Sequence, residues 1–248
     1  MGRPIIEIKD LHKSFGSSKV LTGIDLDIDE GSTCVILGGS GSGKTVLMKH
    51  MIGLLTPDSG RVVVDGEDVV GLGPEDWARV RRKFGMVFQA AALFDSMTVY
   101  ENVAFPLREH SKVSEAESRE IVRKKLGIVG LKGVEEKYPA DLSGGMRKRV
   151  GLARAIVLDP QIVLYDEPTT GLDPITTDYV DEMILDAKRE LGVTSVVISH
   201  DIASAFKVAD KIAFLYQGQI VEQGPGPQLR KSQHPAVHQF LQTWFGKN

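Results

Sequence analysis

Cysteine, aromatic residues and an excess of either charge are all scarce in this sequence. Its 248 residues include one cysteine and 6% aromatic residues, and the formal net charge is −3. A single cysteine cannot form an internal disulfide, which fits a reducing compartment. The near balance of charge gives no indication of a polyanionic partner such as nucleic acid. With 42% hydrophobic and 25% charged residues, the composition is that of a folded globular protein with one substantial core.

Long apolar segments are also missing. No stretch reaches the roughly 18 consecutive apolar residues of a membrane-spanning helix, and the N-terminal MGRPIIEIKD lacks the apolar region of a signal peptide. The sequence therefore predicts a cytoplasmic protein that acts at a membrane only through a partner. The cysteine, Cys34, is predicted to pack as a small buried side chain; the alternative is a catalytic or metal-binding thiol, for which the sequence offers no second cysteine.

Short strands alternate with helical segments along the chain. The predicted strands are IIEIKDL, VLTGIDLDI, TCVILG and RVVVDGEDV in the first third, and IVLYDEP, TSVVIS and KIAFLY in the last. Between these groups, residues 106–131 are charged with apolar positions at helical spacing, which predicts an amphipathic helical insertion. Buried strands that alternate with helices are typical of a parallel sheet covered by helices, so the predicted class is α/β.

A glycine-rich turn, GGSGSGKT, lies between the apolar run STCVIL and a helical segment. It matches G-x-x-x-x-G-K-[ST] in the strand-to-helix setting that gives this pattern its meaning. Glycine lets the backbone turn tightly and bring its N–H groups against phosphate oxygens. The residues predicted to wrap the phosphates in this way are Gly38, Gly39, Ser40, Gly41, Ser42 and Gly43. Lys44 would contact the β and γ phosphates, and Thr45 would ligate Mg²⁺. The alternative is a glycine turn with a solvated lysine.

The segment IVLYDEP supplies the carboxylates that such a phosphate loop needs. Its four apolar residues place Asp166 at the end of a buried strand, where open α/β sheets bind their ligands. Asp166 is predicted to hold Mg²⁺ through water, and Glu167 to polarise the attacking water. The alternative is a strand that ends in an acidic turn.

Beyond these two motifs, the sequence resembles the ATP-binding-cassette (ABC) family. The resemblance appears at LSGGM, residues 142–146, which stands between the two motifs in the family's order. Four more matches accompany it: KSFG with Phe15, MVFQ with Gln89, GLDP with Asp173 and VVISHD with His200. The resemblance covers nearly the whole chain. It implies a P-loop NTPase core of the RecA type, an N-terminal antiparallel β subdomain, an α-helical subdomain, and an ATPase that uses ATP and Mg²⁺.

The resemblance also implies roles for individual residues. Phe15 would stack on adenine, with packing in the core as the alternative, and Val46 stands where many members carry a hydroxyl residue. Gln89 would contact both the nucleotide and Mg²⁺, and Asp173 would lie in the nucleotide site. His200 would contact the γ-phosphate and position the attacking water; a packed, hydrogen-bonded histidine is the alternative.

A second anion site is predicted at the signature motif. Ser143, Gly144 and Gly145 precede the helical segment GMRKRVGLARAIVL, so their N–H groups and the serine hydroxyl would attract negative charge. The family's arrangement implies that this site serves a second copy of the chain. Two cassettes would pair head to tail, and each ATP would be buried between the phosphate loop of one and the signature motif of the other.

The implied organisation is a single ABC nucleotide-binding domain over residues 1–248. A helical signature subdomain spans residues 96–150, and a helical tail spans residues 225–248. The tail places Val237, Phe240, Leu241 and Trp244 on one helix face, for docking either on the chain's own domain or on another subunit.

Two weaker patterns have simple interpretations. The basic clusters at residues 79–83 and 147–149 are interpreted as solvated helix faces and not as nucleic-acid patches, because no aromatic residues interleave with them. His234 and His238 have a spacing that could bind a metal, but no third ligand is evident, which favours a surface helix.

Two classes of function remain: the motor subunit of a membrane transporter, or a non-transport ABC ATPase that acts on nucleic acid or ribosomes. The single cassette favours the first, and residues 90–107, after Gln89, are apolar enough to line a groove for a permease helix. Within transporters, the chain resembles the ATPase subunits of Mce-associated lipid transporters, the Mla systems of diderm bacteria. That resemblance implies phospholipid transport, an MlaE-like permease, a STAS-domain partner, an Mce-domain protein and a peripheral place on the inner membrane; the alternative is an importer of amino acids or other small solutes.

Overall fold

The computed structural model describes residues 2–245 and contains two sheets. The first is antiparallel and four-stranded, in the order β2-β1-β4-β5. Its strands are β1 (Pro4–Phe15), β2 (Ser18–Asp29), β4 (Ser59–Val64) and β5 (Glu67–Asp68). Ile6 and Ile8 of β1 and Leu26 and Ile28 of β2 are buried, so these strands use the alternating pattern that predicted them to cover the core.

The second sheet has six strands in the order β10-β9-β3-β8-β7-β6. These are β3 (Thr33–Leu37), β6 (Phe84–Val87), β7 (Ile162–Asp166), β8 (Thr194–Ser199), β9 (Lys211–Tyr216) and β10 (Gln219–Gly224). All neighbouring pairs are parallel except β9 and β10, which are antiparallel. The predicted α/β class and the antiparallel N-terminal β subdomain are therefore confirmed.

Helices cover both faces of the second sheet or follow its strands. They are α1 (Lys44–Met51), α2 (Pro74–Arg81), α3 (Val99–His110), α4 (Glu115–Ile128), α5 (Gly144–Ala155), α6 (Pro174–Leu191), α7 (Ile202–Val208), α8 (Gly226–Leu229) and α9 (Pro235–Phe245), with a 3₁₀ turn at Pro139–Asp141. No helix within residues 2–245 combines the length and the apolar character needed to cross a bilayer.

The helical insertion predicted over residues 106–131 is two helices that begin earlier than expected. Helix α3 starts at Val99 and contains Pro106 in its interior, and residues 111–114 separate it from α4. Each helix starts with a capping box, formed by Thr98 with Glu101 and by Ser114 with Glu117. Each box satisfies otherwise free N–H groups at a helix start, so each helix begins at a defined residue, which the periodicity behind the predicted helical insertion did not locate.

The parallel strands are buried on both faces. In β3, Cys34 and Ile36 pack with the antiparallel sheet and α1, whereas Val35 and Leu37 pack with the helices on the opposite side. The alternation of side chains along a strand produces this division. Burial raises the pKa of the Cys34 thiol to about 12, so the cysteine is a packed side chain as predicted and not a reactive thiolate.

The C-terminal helix docks on the chain's own core. Val237 and Leu241 of α9 are buried, and the ring of Phe240 lies edge-on to Phe214 of β9 at a centroid separation of 5.1 Å. This is the first of the two arrangements predicted for the tail. The side chain of Trp244 and residues 246–248 lie outside the described residues.

One of the basic clusters differs from the predicted solvated face. Arg147 and Arg149 are accessible, but Lys148 is only 8% exposed and its Nζ donates to the carbonyl oxygen of Pro168. The loop after β7 covers Lys148, and burial lowers the pKa of this lysine. Helical periodicity could not indicate this, because the covering loop comes from a distant part of the chain.

Candidate active site

The phosphate loop, Gln89, Glu167 and His200 meet at the carboxyl ends of four adjacent parallel strands. The glycine loop follows β3, Gln89 follows β6, Glu167 follows β7 and His200 follows β8. The order β3-β8-β7-β6 makes these strands neighbours, so their terminal loops share one edge of the sheet. They enclose a pocket of about 560 Å³ whose lining residues are Val20, Gly39, Ser40, Gly41, Ser42, Gly43, Lys44, Thr45, Val46, Gln89, Glu167, Thr170, His200 and Phe240.

Glycine is structurally required at both ends of the loop. A Cβ atom on Gly38 would lie 2.3 Å from the carbonyl oxygen of Leu215, which is too close for any side chain. Gly43 has φ +107°, in the left-handed region, and a Cβ there would lie 2.9 Å from Leu21 Cδ2. The loop can therefore turn tightly and present its backbone to the pocket only with these glycines.

The loop and the start of α1 together form an anion site. Gly43 precedes α1, and no side chain in the described part of the chain caps this helix, which leaves its first N–H groups available to a ligand. Ser42 Oγ is buried and has no hydrogen-bond partner among residues 2–245. Lys44 is 6% exposed, and its Nζ donates to the carbonyl oxygens of Gly38 and Gly39 at 2.8 and 3.0 Å. These donors fit the phosphates of a nucleotide.

Glu167 is held in place by residues from three elements. Its Oε1 lies 3.5 Å from Lys44 Nζ, while its Oε2 accepts from Thr170 Oγ1 at 2.9 Å and lies 2.7 Å from His200 Nδ1. The backbone of Glu167 has φ +50°, a left-handed conformation that costs free energy for a residue with a side chain. The neighbouring contacts stabilise this conformation, and it directs the carboxylate towards the phosphate loop.

Asp166 ends β7 and differs from Glu167 in its environment. Its burial raises the pKa of the carboxyl group, the negative charge of Glu167 raises it further, and Lys49 and Lys44 act in the opposite direction. A cation bound beside Asp166 would stabilise the ionised form. The oxygen-bearing side chains of Asp166, Thr45 and Gln89 are of the type that Mg²⁺ prefers, and the remaining ligands would be phosphate oxygens and water.

Phe15 lies at the end of β1 and is 49% exposed, so packing in the core, the alternative for this residue, is excluded. The ring is accessible to a flat ligand, and Lys13 Nζ lies 5.6 Å from its centroid. Phe15 does not line the pocket defined above. Contact with adenine remains a prediction.

The signature residues and Asp173 stand apart from this pocket, and none of them is among its lining residues in the described chain. Ser143 is the N-cap of α5, and its Oγ accepts from the N–H of Met146 at 3.2 Å. Gly144 and Gly145 form the first turn of that helix. Asp173 is the N-cap of α6, where its carboxylate accepts from the N–H groups of Ile175 and Thr176, each at 3.0 Å. Within one chain, these groups do not complete the phosphate-loop pocket.

The pocket also contains residues that the sequence analysis did not assign to the site. Val20, Thr170 and Phe240 line it, and Thr170 hydrogen-bonds Glu167 directly. Thr170 follows Glu167 by three positions, and this spacing within the acidic turn could have predicted the contact. Phe240 comes from α9 at the end of the chain, and nothing in its apolar helix face indicates a place beside the phosphate loop.

Comparison with known proteins decides the family. The model of the family described as ABC transporter matches residues 21–170, which include the phosphate loop, the signature motif and the acidic strand. The chain belongs to the ABC transporter family. It is an ATPase of that family, and ATP is its substrate. ABC cassettes dimerise and pair with membrane permeases.

Several curated ABC proteins are similar to this chain over most of its length. "Probable ribonucleotide transport ATP-binding protein mkl" of Mycobacterium leprae is 48% identical over 95% of this chain and 68% of its own length. "Protein TRIGALACTOSYLDIACYLGLYCEROL 3, chloroplastic" of Arabidopsis thaliana is 42% identical over 95% of this chain and 73% of that protein. "Intermembrane phospholipid transport system ATP-binding protein MlaF" of Haemophilus influenzae is 39% identical over 97% of this chain and 91% of that protein.

Solved structures of ABC cassettes share the fold. The cbiO1 protein of Clostridium perfringens, part of the ABC transporter complex cbiONQ, superposes with a TM-score of 0.86 at 28% identity and covers 98% of this chain and 96% of that chain. The dimeric cassette MJ0796, in a post-hydrolysis state bound to ADP and phosphate, has a TM-score of 0.79 at 31% identity and covers 89% of this chain and 98% of that chain.

Proposed function

We propose that the chain is the ATP-hydrolysing motor subunit of a lipid transporter of the Mla type, which moves phospholipid between the inner and outer membranes of a diderm bacterium. The observation that carries the motor role is the cluster of Lys44, Glu167 and His200 at the mouth of the phosphate loop. The observation that supports lipid as the cargo is the similarity to MlaF over nearly the full length of both proteins.

In this proposal, ATP binds with its phosphates on the glycine loop and the start of α1. Lys44 Nζ exchanges the carbonyl oxygens of Gly38 and Gly39 for β and γ phosphate oxygens, and Ser42 gains a partner. Phe15 offers an exposed ring on which adenine stacks. Thr45, Gln89 and Asp166 would hold Mg²⁺, and the bound ion would neutralise charge on the phosphates.

Hydrolysis follows from the position of Glu167. Its carboxylate accepts a proton from the attacking water while Lys44 stabilises the phosphate charge. His200, within 2.7 Å of Glu167 Oε2, keeps the carboxylate oriented and contacts the γ-phosphate. Thr170 holds the same carboxylate oxygen at 2.9 Å, so the base has little rotational freedom before ATP arrives.

A second copy of the chain completes each site in this proposal. Ser143, Gly144 and Gly145 lie at the start of α5 and outside the chain's own pocket, so they are free to receive the ATP of a partner. Asp173 lies in the same dimer interface. Negative charge between two helix N-termini holds the closed dimer, and loss of phosphate releases it.

A groove beside Gln89 is the proposed binding site for the permease. Its volume is about 630 Å³, and its lining includes Phe88, Phe94, Phe105 and Pro106. Phe88 and Phe94 are 40% and 43% exposed, an uncommon degree of exposure for such large apolar side chains. Phe94, Phe105 and Pro106 come from the stretch predicted to receive a permease helix. A helix of an MlaE-like permease would bury these rings and place the motor on the inner membrane, with a STAS-domain protein and an Mce-domain protein as further partners.

The test is reconstitution with an MlaE-like permease in vesicles. We expect ATP-dependent transfer of fluorescent phospholipid to acceptor vesicles, and none with the Glu167→Gln variant. The variants Phe88→Ser and Phe94→Ser should lose permease binding and keep ATP binding. Tyr138→Ser is the matched control, because Tyr138 is 47% exposed but lies away from the groove.

Two outcomes would redirect the assignment. ATP-dependent uptake of a ribonucleotide, the cargo in the name of the mycobacterial relative, would replace phospholipid as the substrate. Stimulation by an amino acid and its binding protein would place the chain in an importer. Hydrolysis stimulated only by ribosomes or nucleic acid, without any permease, would contradict the transporter role altogether.

A further inference from the structure

A buried carboxylate lies outside the candidate active site and has no role in it. Asp181, in the middle of α6, is 3% exposed. Burial raises the pKa of its carboxyl group to about 6, which means that at neutral pH the folded chain keeps a charge in a poorly solvated place. Such a group lowers stability, so the fold alone does not account for an aspartate at this position.

The partner of Asp181 is Ser204 in α7. The Ser204 hydroxyl donates to Asp181 Oδ1, and both residues are buried where α6 packs on α7. A hydrogen bond between a charged acceptor and a buried hydroxyl is stronger than one between neutral groups. It therefore fixes α7 against α6 at one defined point.

Ser204 also binds the loop that carries His200. Its backbone N–H donates to Asp201 Oδ1 at 3.2 Å, which makes Asp201 the N-cap of α7. The N–H of Asp201 in turn donates to Ser199 Oγ at 2.9 Å. Both residues next to His200 are thus held by hydrogen bonds, and one of these leads through Ser204 to Asp181.

A second, exposed set of contacts joins the same two helices. Lys207 of α7 binds Asp178 Oδ1 at 2.5 Å and Glu182 Oε1 at 2.8 Å, both on α6. The N-cap of α6 is Asp173, about two turns before Asp181. Asp173 and His200 therefore lie at or just before the starts of α6 and α7, and these two helices are bound to each other.

We propose that Asp181 is a positioning residue for ATP hydrolysis: its hydrogen bond to Ser204 joins α7 to α6, so that His200 and Asp173 move as one unit. This rests on the proposed roles of Glu167 and His200. The His200 side chain is 53% exposed, and within residues 2–245 its one hydrogen bond is to Glu167, so its distance from that carboxylate depends on where α7 lies. Closure of the dimer on Asp173 is then transmitted to His200 through Asp181.

The test compares Asp181→Ala and Ser204→Ala with Asp181→Asn in the full chain. Asparagine keeps an oxygen that accepts from Ser204, whereas either alanine removes the bond. We expect each alanine variant to lower kcat for ATP about tenfold with KM unchanged, as the loss of one hydrogen bond to a charged group predicts. The double variant should be no slower than either single one, because both changes remove the same contact. Asp181→Asn should restore most of the rate.

A readout independent of activity accompanies the kinetics. Hydrogen exchange of the backbone amides of residues 204–208 should become faster in both alanine variants and stay unchanged in Asp181→Asn. The matched control is Asp178→Asn, which removes an exposed carboxylate from the same helix and leaves Glu182 to bind Lys207. We expect it to behave as the parent protein in both measurements.

Three results would overturn the proposal: a parental kcat in Ser204→Ala, unchanged exchange in α7, or a loss of rate in Asp181→Asn equal to that in Asp181→Ala. Ser204→Ala removes a single oxygen atom, so this variant tests the proposal if Asp181→Ala does not fold. Absence of lipid transfer with normal ATP hydrolysis in the parent protein would contradict the proposed cargo and leave this inference standing.

Discussion

Replacement of Glu167 by glutamine separates hydrolysis from binding most cleanly. Glutamine has the same shape and keeps an oxygen, so the contacts with Thr170 and His200 are largely retained. The change removes the negative charge and with it the ability to accept a proton. Loss of a general base lowers rates by about 10²–10⁴-fold, so kcat of Glu167→Gln should fall into this range.

The same change should leave ATP binding intact or slightly tighter. Glu167 lies 3.5 Å from Lys44 and faces the place of the phosphates, so its charge repels the ligand and competes for the lysine. One pair of like charges about 5 Å apart in a water-like medium costs about 1 kcal/mol, or roughly fivefold in affinity. With hydrolysis blocked, ATP should also hold the dimer closed.

Three measurements check this prediction: steady-state ATP turnover, binding of a fluorescent ATP analogue, and the dimer fraction in size-exclusion chromatography with ATP. Glu222→Gln is the matched control, since it makes the same chemical change on β10, outside the pocket. If Glu167→Gln hydrolysed ATP within about twofold of the parental rate, well short of the loss expected for a missing base, the assignment of the base would be wrong.

Three further predictions concern separate parts of the chain. Lys44→Ala should weaken ATP binding itself, by at least tenfold in an equilibrium binding assay, because it removes the cation nearest the phosphates. Phe15→Ala should raise KM for ATP by about three- to tenfold and leave kcat unchanged, as the loss of one stacking contact worth roughly 1 kcal/mol predicts; equal kinetics would exclude stacking. Since the pKa of Asp181 is raised from 3.8 to about 6 in the folded chain, its contribution to stability is complete below pH ~4 and is lost as pH rises through about 6. The free energy of unfolding in urea, parent minus Asp181→Asn, should therefore fall by about 1–2 kcal/mol between pH 4.5 and 7.5, and a flat difference would contradict the raised pKa.

Local sequence patterns were sufficient to predict those parts of the site whose functional groups are close together in the sequence. The glycine loop is an example, because a turn that brings backbone N–H groups to phosphate needs glycine at fixed positions such as Gly38 and Gly43. The end of β7 is another, since four apolar residues bury a strand and leave Asp166 and Glu167 at its edge. The matches to the ABC family then extended the prediction to Phe15 and His200, which no local rule could have linked to the loop.

Helix boundaries were predicted less well. Capping by Thr98 and Ser114 decided where α3 and α4 begin, whereas the periodicity of apolar residues predicted a helical insertion without locating these starts. Lys148 shows a related limit: its position on α5 indicated a solvated face, but the loop after β7 covers it. Both differences arise because the spacing of apolar residues along a helix does not report the residues that cap it or the loops that cover it.

The sequence by itself determined the fold class, the phosphate loop, the acidic strand end and the family. Tertiary structure alone decided that Val20, Thr170 and Phe240 line the pocket, that Glu167 adopts a left-handed backbone, and that Asp181 of α6 binds Ser204 of α7. The reason is that motifs report short-range geometry, which neighbouring residues fix. The pocket is built by strand order and helix packing, which join residues far apart in the chain and depend on the burial of the whole core.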